Sequence, residues 1–293
     1  MVTRRLPIAA AGFARTRLGL GGEEVRINVL GPLEVRHGGE LIPLTGMKQR
    51  VFLSSLALNP RAAVPVSVLI DALWGAVPPR TARIKVHTHV SDLRKRLGPY
   101  RASQPDGWPV VTGPGGYQLS SDIELDSWEF EDNASRARQA SRLSEYGQAS
   151  ELFARAMAMW RGPALADVDS DAIRAAASAL NAKRLLAIEG KAEADLQLGW
   201  LDEVVADLVP VAAANPLRER LRGQLMLALY RRGCRNEALA VYRDGHQAIS
   251  RELGLPPGPQ LRRLQQFVYR DDPALWTQPP DSLLTMGTIA GEA

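Results

Sequence analysis

Five cations, Arg83, Lys85, Arg94, Lys95 and Arg96, crowd the stretch from residue 83 to residue 96, which holds one carboxylate, Asp92. That density of one sign is chemistry for a polyanion. Ammonium and guanidinium groups neutralise phosphates and, where they reach a base edge, donate to guanine O6 and N7. The spacing sorts these groups by face. Val86, Val90, Leu93 and Leu97 recur at i, i+4, i+7 and i+11, the apolar stripe of a helix docked on a small core. Half a circle away on the wheel lie Ile84, Thr88, Ser91, Asp92 and Lys95. Arg83 and Arg94 edge one flank; Lys85, His89 and Arg96 edge the other. A helix over 81–97 built this way fits the major groove, with its front toward bases and its flanks toward phosphates. Lys85 and Lys95 are candidate donors to guanine and Asp92 a candidate acceptor from cytosine N4, while Ile84 and the Thr88 methyl would meet thymine methyls. The competing reading of the same helix is a solvated basic surface.

Other chemistries find little support. His37, His87, His89 and His246 have no metal-ligand spacing, and His87 and His89, two apart on a helix, point about 200° apart. No G-x-S-x-G, H-E-x-x-H or phosphate-cradling G-x-x-x-x-G-K-[ST] occurs. The expectation is a protein that is not an enzyme and has no metal or cofactor site.

The neighbours of the basic helix supply its frame. Val66 to Trp74 reads as a preceding helix, with Ser67 as N-cap and Gly75 as stop. Val110–Thr112 and Tyr117–Leu119 flank Gly113-Pro114-Gly115-Gly116, a hairpin signal. Upstream, Val25, Ile27 and Val29 alternate with polar residues as a half-buried strand. His37-Gly38-Gly39 joins a second pair of strands, and Met47 to Leu58 reads as the first helix, closed by Asn59-Pro60. Sheet, three helices and hairpin make a winged helix-turn-helix over residues 25–120, an α+β unit. Lys48 and Arg50 in the first turn of helix one, Arg80 before the basic helix, and Thr112 and Tyr117 on the hairpin are the further candidate phosphate contacts. Tyr117 reads as a core anchor ahead of a base contact.

Charge separates the halves. Residues 1–120 carry 16 Lys and Arg against 7 Asp and Glu, and residues 121–293 carry 20 against 25, so only the front half has a surplus of cations. Residues 125–269 are helical in period, with breaks at Gly147, Gly162-Pro163, Gly199, Asn215-Pro216, Gly233 and Gly254–Pro257. Gly199-Trp200-Leu201-Asp202-Glu203 is echoed by Gly233-Cys234-Arg235-Asn236-Glu237, 34 residues on, and Tyr146-Gly147-Gln148-Ala149 opens an earlier, diverged copy. About 34 residues is the period of a tetratricopeptide helix pair, which predicts an all-α, tetratricopeptide-like domain over 121–270 and a surface for protein contact. Cys234 is the single cysteine, so no internal disulfide forms, as in a reducing cytosol. No apolar run reaches the ~18 residues of a membrane span. Arg4-Arg5 followed by Pro7–Ala14 outlines a short twin-arginine signal. Arg15 and Arg17 close it without a cleavage site, so residues 1–24 read as a disordered leader and 271–293 as a disordered tail.

Taken in order, Val29-Leu30-Gly31-Pro32-Leu33-Glu34-Val35, Lys48-Gln49-Arg50, Leu73-Trp74-Gly75 with Pro78-Pro79, Val90-Ser91-Asp92-Leu93-Arg94-Lys95-Arg96-Leu97 and Gly116-Tyr117 resemble the Streptomyces antibiotic regulatory protein family. So do Trp160–Leu165 and Pro216–Leu221, and the resemblance covers about residues 25–268. It implies an OmpR-type winged helix joined to a bacterial transcriptional activation domain. By the same token it implies a cytoplasmic, nucleoid-associated activator of secondary-metabolite genes that binds double-stranded promoter direct repeats as a head-to-tail homodimer. It implies recruitment of RNA polymerase holoenzyme with its sigma factor, through the loop Gly75, Ala76, Val77, Pro78 and Pro79. Asp92 stands where relatives often carry a cation and Ile84 where they often carry a polar residue, so the family's usual target sequence does not transfer. A repressor of the same fold, and a helical scaffold tethered loosely to DNA, remain as alternatives.

Overall fold

The computed structural model describes residues 25–59, 62–98 and 108–284. The chain opens with β1 (Val25–Asn28), β2 (Glu34–His37) and β3 (Glu40–Leu41), followed by α1 (Met47–Ala57). The alternation read in the sequence sets the register. Val25 faces His37 and Ile27 faces Val35 across the antiparallel pair, and Val25, Ile27 and Val35 are buried on one face. Next come β4 (Val64–Pro65), α2 (Val66–Trp74), α3 (Ala82–Leu97), and the hairpin β5 (Val110–Gly113) and β6 (Gly116–Leu119). The hairpin takes in β4 as a third strand, in the order β4-β6-β5. The close approach needs Gly116, because a Cβ there would meet the Val64 carbonyl oxygen at 1.9 Å. α2 begins at Val66 with Pro65 in the N-cap position and no side-chain cap, so Ser67 is inside the helix and not its cap. The proline's fixed φ suits the start of a helix, and β4 delivers the chain there. Gly75 ends α2 at φ 59, as expected.

The front half does not stop at residue 120. β7 (Glu124–Leu125) pairs in parallel with β1 and completes a sheet ordered β3-β2-β1-β7, which leads directly into α4 (Asp126–Arg142). Asp126, 2% exposed, accepts the Val29 N–H at 2.8 Å and the Leu30 N–H at 3.0 Å. One buried core therefore runs from Val25 through Phe52, Leu93 and Phe130 to Trp160 and Ala187.

Helices then follow: α5 (Tyr146–Met157), α6 (Asp171–Leu198), α7 (Leu201–Ala214), α8 (Glu219–Arg231), α9 (Arg235–Leu253) and α10 (Pro259–Arg270). Three helix hairpins close with the same turn. A residue at positive φ (Ser144, Gly199, Gly233) precedes a bond from an N–H to the carbonyl five residues back: Glu145 to Ala140, Trp200 to Asp195, Cys234 to Leu229, each at 2.9 Å. Gly147, expected as a break, lies within α5 one residue beyond that turn. Two expectations about the ends need correction or fall outside. Residues 271–284 are not a disordered tail. They form α11 (Ala274–Thr277) and α12 (Pro280–Leu284), which bury Leu275 and Leu283 in a second core shared with α6–α10. Tyr230 bonds Asp271, and Arg231 donates to the Leu275 carbonyl at 2.9 Å, fixing the turn between them. Residues 1–24 and 285–293 lie outside the described residues.

Candidate nucleic-acid interface

α3 buries the stripe its periodicity marks: Ala82, Val86, Val90, Leu93 and Leu97 face the core, near Phe52 and Leu56 of α1. Its opposite side is open. Arg83, Ile84, Lys85, Thr88, Ser91, Lys95 and Arg96 are exposed, with Ile84 at 65%. Among the described residues, Arg83, Lys85 and Lys95 have no acidic partner, so three cations stand free on one helix face, with Arg80 exposed just before it. Asp92 and His89 are half-buried at the margins. The Thr88 hydroxyl donates to the Ile84 carbonyl at 3.2 Å, and Arg96 reaches the Pro43 carbonyl at 3.4 Å.

Four residues expected at the polyanion are engaged within the fold. Arg94 is half-buried and donates to the Val110 carbonyl at 2.8 Å and to Thr112 Oγ1 at 3.2 Å, clamping the hairpin to α3. Thr112 is thereby engaged as well, although exposed. Tyr117 is 6% exposed, packs its ring 6.2 Å from Phe52, and its hydroxyl lies 2.5 Å from His87 Nδ1, so it anchors the core and is not a backbone contact. Arg50 pairs with Asp167 and donates to the Leu33 carbonyl at 3.3 Å. Its charge is spent on the segment between α5 and α6. These contacts share one cause: a guanidinium or phenol near a folded neighbour satisfies its donors there. The sequence missed His87 as the hairpin's second tie, and no spacing links it to Tyr117, 30 residues away.

Lys48 remains exposed, its Nζ 4.5 Å above the Trp74 ring. The His89 ring lies 6.4 Å from the same indole. Burial, with the Lys48 charge beside it, holds the His89 imidazole below its ordinary value. Trp74 thus carries α1, α3 and the start of the loop 75–79. Gly75 to Pro78 are exposed, Val77 at 83%.

The segment between α5 and α6 fastens the helical half to this frame. Arg161 N donates to the Leu30 carbonyl at 2.8 Å, and Leu165 N to those of Val29 and Gly31 at 3.1 and 2.7 Å. The Arg161 guanidinium pairs with Glu34 at 2.7 Å, and Trp160 meets Phe130 edge to face at 5.3 Å. Ser170 Oγ donates to the Ala72 carbonyl of α2 at 3.1 Å. In the Pro216–Leu221 segment, Arg218 and Glu219 are partly buried. Arg218 grips Glu189 through two bonds of 2.7 and 3.2 Å, and Glu219 accepts the Gly258 N–H at 2.8 Å. No helix among the described residues is long and apolar enough to cross a membrane.

Residues 125–268 match the family model of the bacterial transcriptional activator domain. The chain is 39% identical over 253 residues to Regulatory protein AfsR of Streptomyces coelicolor, covering 86% of this chain and 25% of AfsR. It is 32% identical over 262 residues to Regulatory protein DnrI of Streptomyces peucetius, covering 88% of this chain and 96% of DnrI. The solved structure of Mycobacterium tuberculosis EmbR, in complex with a low affinity phosphopeptide, superposes with a TM-score of 0.80 at 33% identity, covering 89% of this chain and 68% of that one. The chain thus spans a quarter of AfsR and nearly all of DnrI. With a match of that extent to DnrI, and the activator-domain model over the helical half, the chain belongs to the Streptomyces antibiotic regulatory protein family.

Proposed function

We propose that the protein is a sequence-specific DNA-binding transcription activator of secondary-metabolite genes, acting in the cytoplasm at the nucleoid. The observation that carries this reading is the open face of α3, where Arg83, Lys85 and Lys95 stand without acidic partners beside Ile84, Thr88 and Ser91 while the opposite stripe is buried. On this reading residues 25–125 are an OmpR-type winged helix, α3 is its recognition helix, β5–β6 its wing, and the hairpins of the helical half a tetratricopeptide-like activation domain. Lys85 and Lys95 read guanines, Ile84 a thymine methyl, and Asp92 a cytosine at the margin. Arg83, Arg80, Arg96 and Lys48 neutralise phosphates. Arg94 acts through the wing it holds. Two copies bind a promoter direct repeat, and the exposed loop from Gly75 to Pro79 meets RNA polymerase holoenzyme at its sigma factor.

The test is footprinting of the purified chain on promoters at two salt concentrations, with and without holoenzyme. A protected direct repeat that survives the higher salt and strengthens with polymerase is the expected result. Lys85→Ala should relax preference at one base by ~1–3 kcal/mol, and Arg83→Ala should weaken all sequences alike. Salt-labile binding without a footprint would overturn specific recognition, and a footprint that excludes polymerase would make the protein a repressor.

A further inference from the structure

α4 and α6 both pack on α5 and leave between them a groove of about 840 Å³. Its wall on α4 runs from Phe130 to Arg142, roughly 18 Å at 1.5 Å per residue. The floor is apolar: Phe130, Ala134, Phe153 and the half-exposed Leu186. Gly190 admits the Phe153 ring to this floor, because a Cβ there would lie 2.4 Å from the ring.

The polar groups of the groove are unevenly satisfied. Lys183 pairs with Glu131 at 2.5 Å, Arg218 with Glu189 at 2.7 Å, and Arg220 with Asp281 at 3.2 Å. Arg138 and Arg142 have no acidic partner among the described residues, and as like charges four apart on one helix they repel each other. An anion between them would relieve that repulsion. At the other end Glu193 Oε1 is buried without a hydrogen-bond partner. Burial, with the Asp281 carboxylate beside it, pushes the Glu193 carboxyl up, against the pull of Arg220 and the Gln224 amide.

We propose that the groove between α4 and α6 binds a small amphipathic anion, an apolar ring system over Phe130, Ala134 and Leu186 with a carboxylate or sulfonate held between Arg138 and Arg142. The volume is that of a small-molecule site, with an apolar floor and a charged rim. A peptide fits less well. Its backbone would need partners along the whole groove, and the central side chains are already paired with one another.

Two probes of one shape separate the charge from the apolar body: 8-anilinonaphthalene-1-sulfonate and its uncharged counterpart N-phenyl-1-naphthylamine. On the full chain, both should bind saturably at one site with enhanced fluorescence. Replacing both cations (Arg138→Ala with Arg142→Ala) removes exposed side chains and should leave the melting temperature unchanged. It should weaken the sulfonate about tenfold or more while leaving the neutral probe within twofold. Leu186→Glu should weaken both probes. Arg83→Ala with Lys85→Ala, on the distant face of α3, should change neither. Unsaturable binding, or a double cation variant that affects the two probes equally, would overturn the proposal.

Discussion

Asp126→Ala tests how the two halves of the chain hold each other. The carboxylate sits at the first residue of α4, 2% exposed, with one oxygen 2.8 Å from the Val29 nitrogen and the other 3.0 Å from that of Leu30. Val29 and Leu30 are themselves fully buried, so no water replaces the lost acceptors. Hydrogen bonds to a charged acceptor contribute about 1.5–3 kcal/mol each, so two give roughly 3–6 kcal/mol. The carboxylate's own desolvation offsets part of this: burial pushes the Asp126 carboxyl above its ordinary value, against the pull of the two N–H groups and Arg161. Arg161, 3.9 Å away and a third exposed, keeps its shorter bond to Glu34 and adds little to the loss. The expected cost is about 3–4 kcal/mol. Urea unfolding followed together by tryptophan fluorescence and far-UV circular dichroism measures it, with linear extrapolation of each transition. A loss below ~1 kcal/mol would refute the reasoning, because it would mean that the two N–H groups find other acceptors.

Three further outcomes follow from individual contacts. Gly116→Ala places a methyl against the backbone of Val64 and Pro65, so it should break the pairing of β4 with β6 and lower stability by ~3 kcal/mol, read as a fall in melting temperature with loss of DNA binding. Arg218→Ala strands the Glu189 carboxylate, 4% exposed, and should cost ~3–5 kcal/mol in the same unfolding assay, whereas Arg174→Ala at an exposed pair should cost under ~1 kcal/mol. The lowered His89 value means that the unfolded chain binds this proton more tightly than the native one. Its contribution to stability is therefore complete above the ordinary value of 6.5 and is lost as pH falls through the lower native value. His89→Gln should flatten stability against pH between pH 7.5 and 5, and an unchanged slope would assign the dependence to other groups.

What was legible in the sequence is what local periodicity encodes. The stripe Val86–Val90–Leu93–Leu97 fixes which side of α3 is buried, and Gly113–Gly116 fixes the hairpin, because both signals lie within one element. The echo of Gly199 in Gly233 marks two of the three like turns. The third shows only as the diverged copy that opens at Tyr146, because Ser144, not glycine, adopts the positive φ. Pairings across the chain leave no such mark. β7 joins β1 from about a hundred residues away, and Arg50 and Arg94 look like free cations until Asp167 and Val110 are placed beside them. Residues 271–284 escaped for a different reason. Helices of four and five residues are too short to show a period, and Leu275 and Leu283 are held by α8 and α10 instead of by propensity.

The same contacts decide whether the front half is a separable domain. A chain ending at Leu125 keeps β1–β7 and α1–α3, the set that a reading by fold type would cut out. It loses Asp126, the N–H groups of Arg161 and Leu165 that satisfy the carbonyls of Leu30, Val29 and Gly31, and the Asp167 oxygen 2.7 Å from the Leu33 nitrogen. Val29 and Leu30, fully buried in the whole chain, lose Phe130 and Trp160 from the core they share. Unsatisfied backbone groups and exposed apolar surface would thus concentrate on Val29–Leu33, the connection between β1 and β2. Residues 25–125 alone should melt without a sharp transition and bind DNA weakly, while residues 25–170, which restore α4, α5 and the fastening segment, should recover part of the cooperativity. Calorimetry of the two fragments beside the whole chain measures this. A sharp transition of the shorter fragment at the whole chain's melting temperature would show that the front half folds by itself, and that the bonds at Val29–Leu33 follow its folding instead of supporting it.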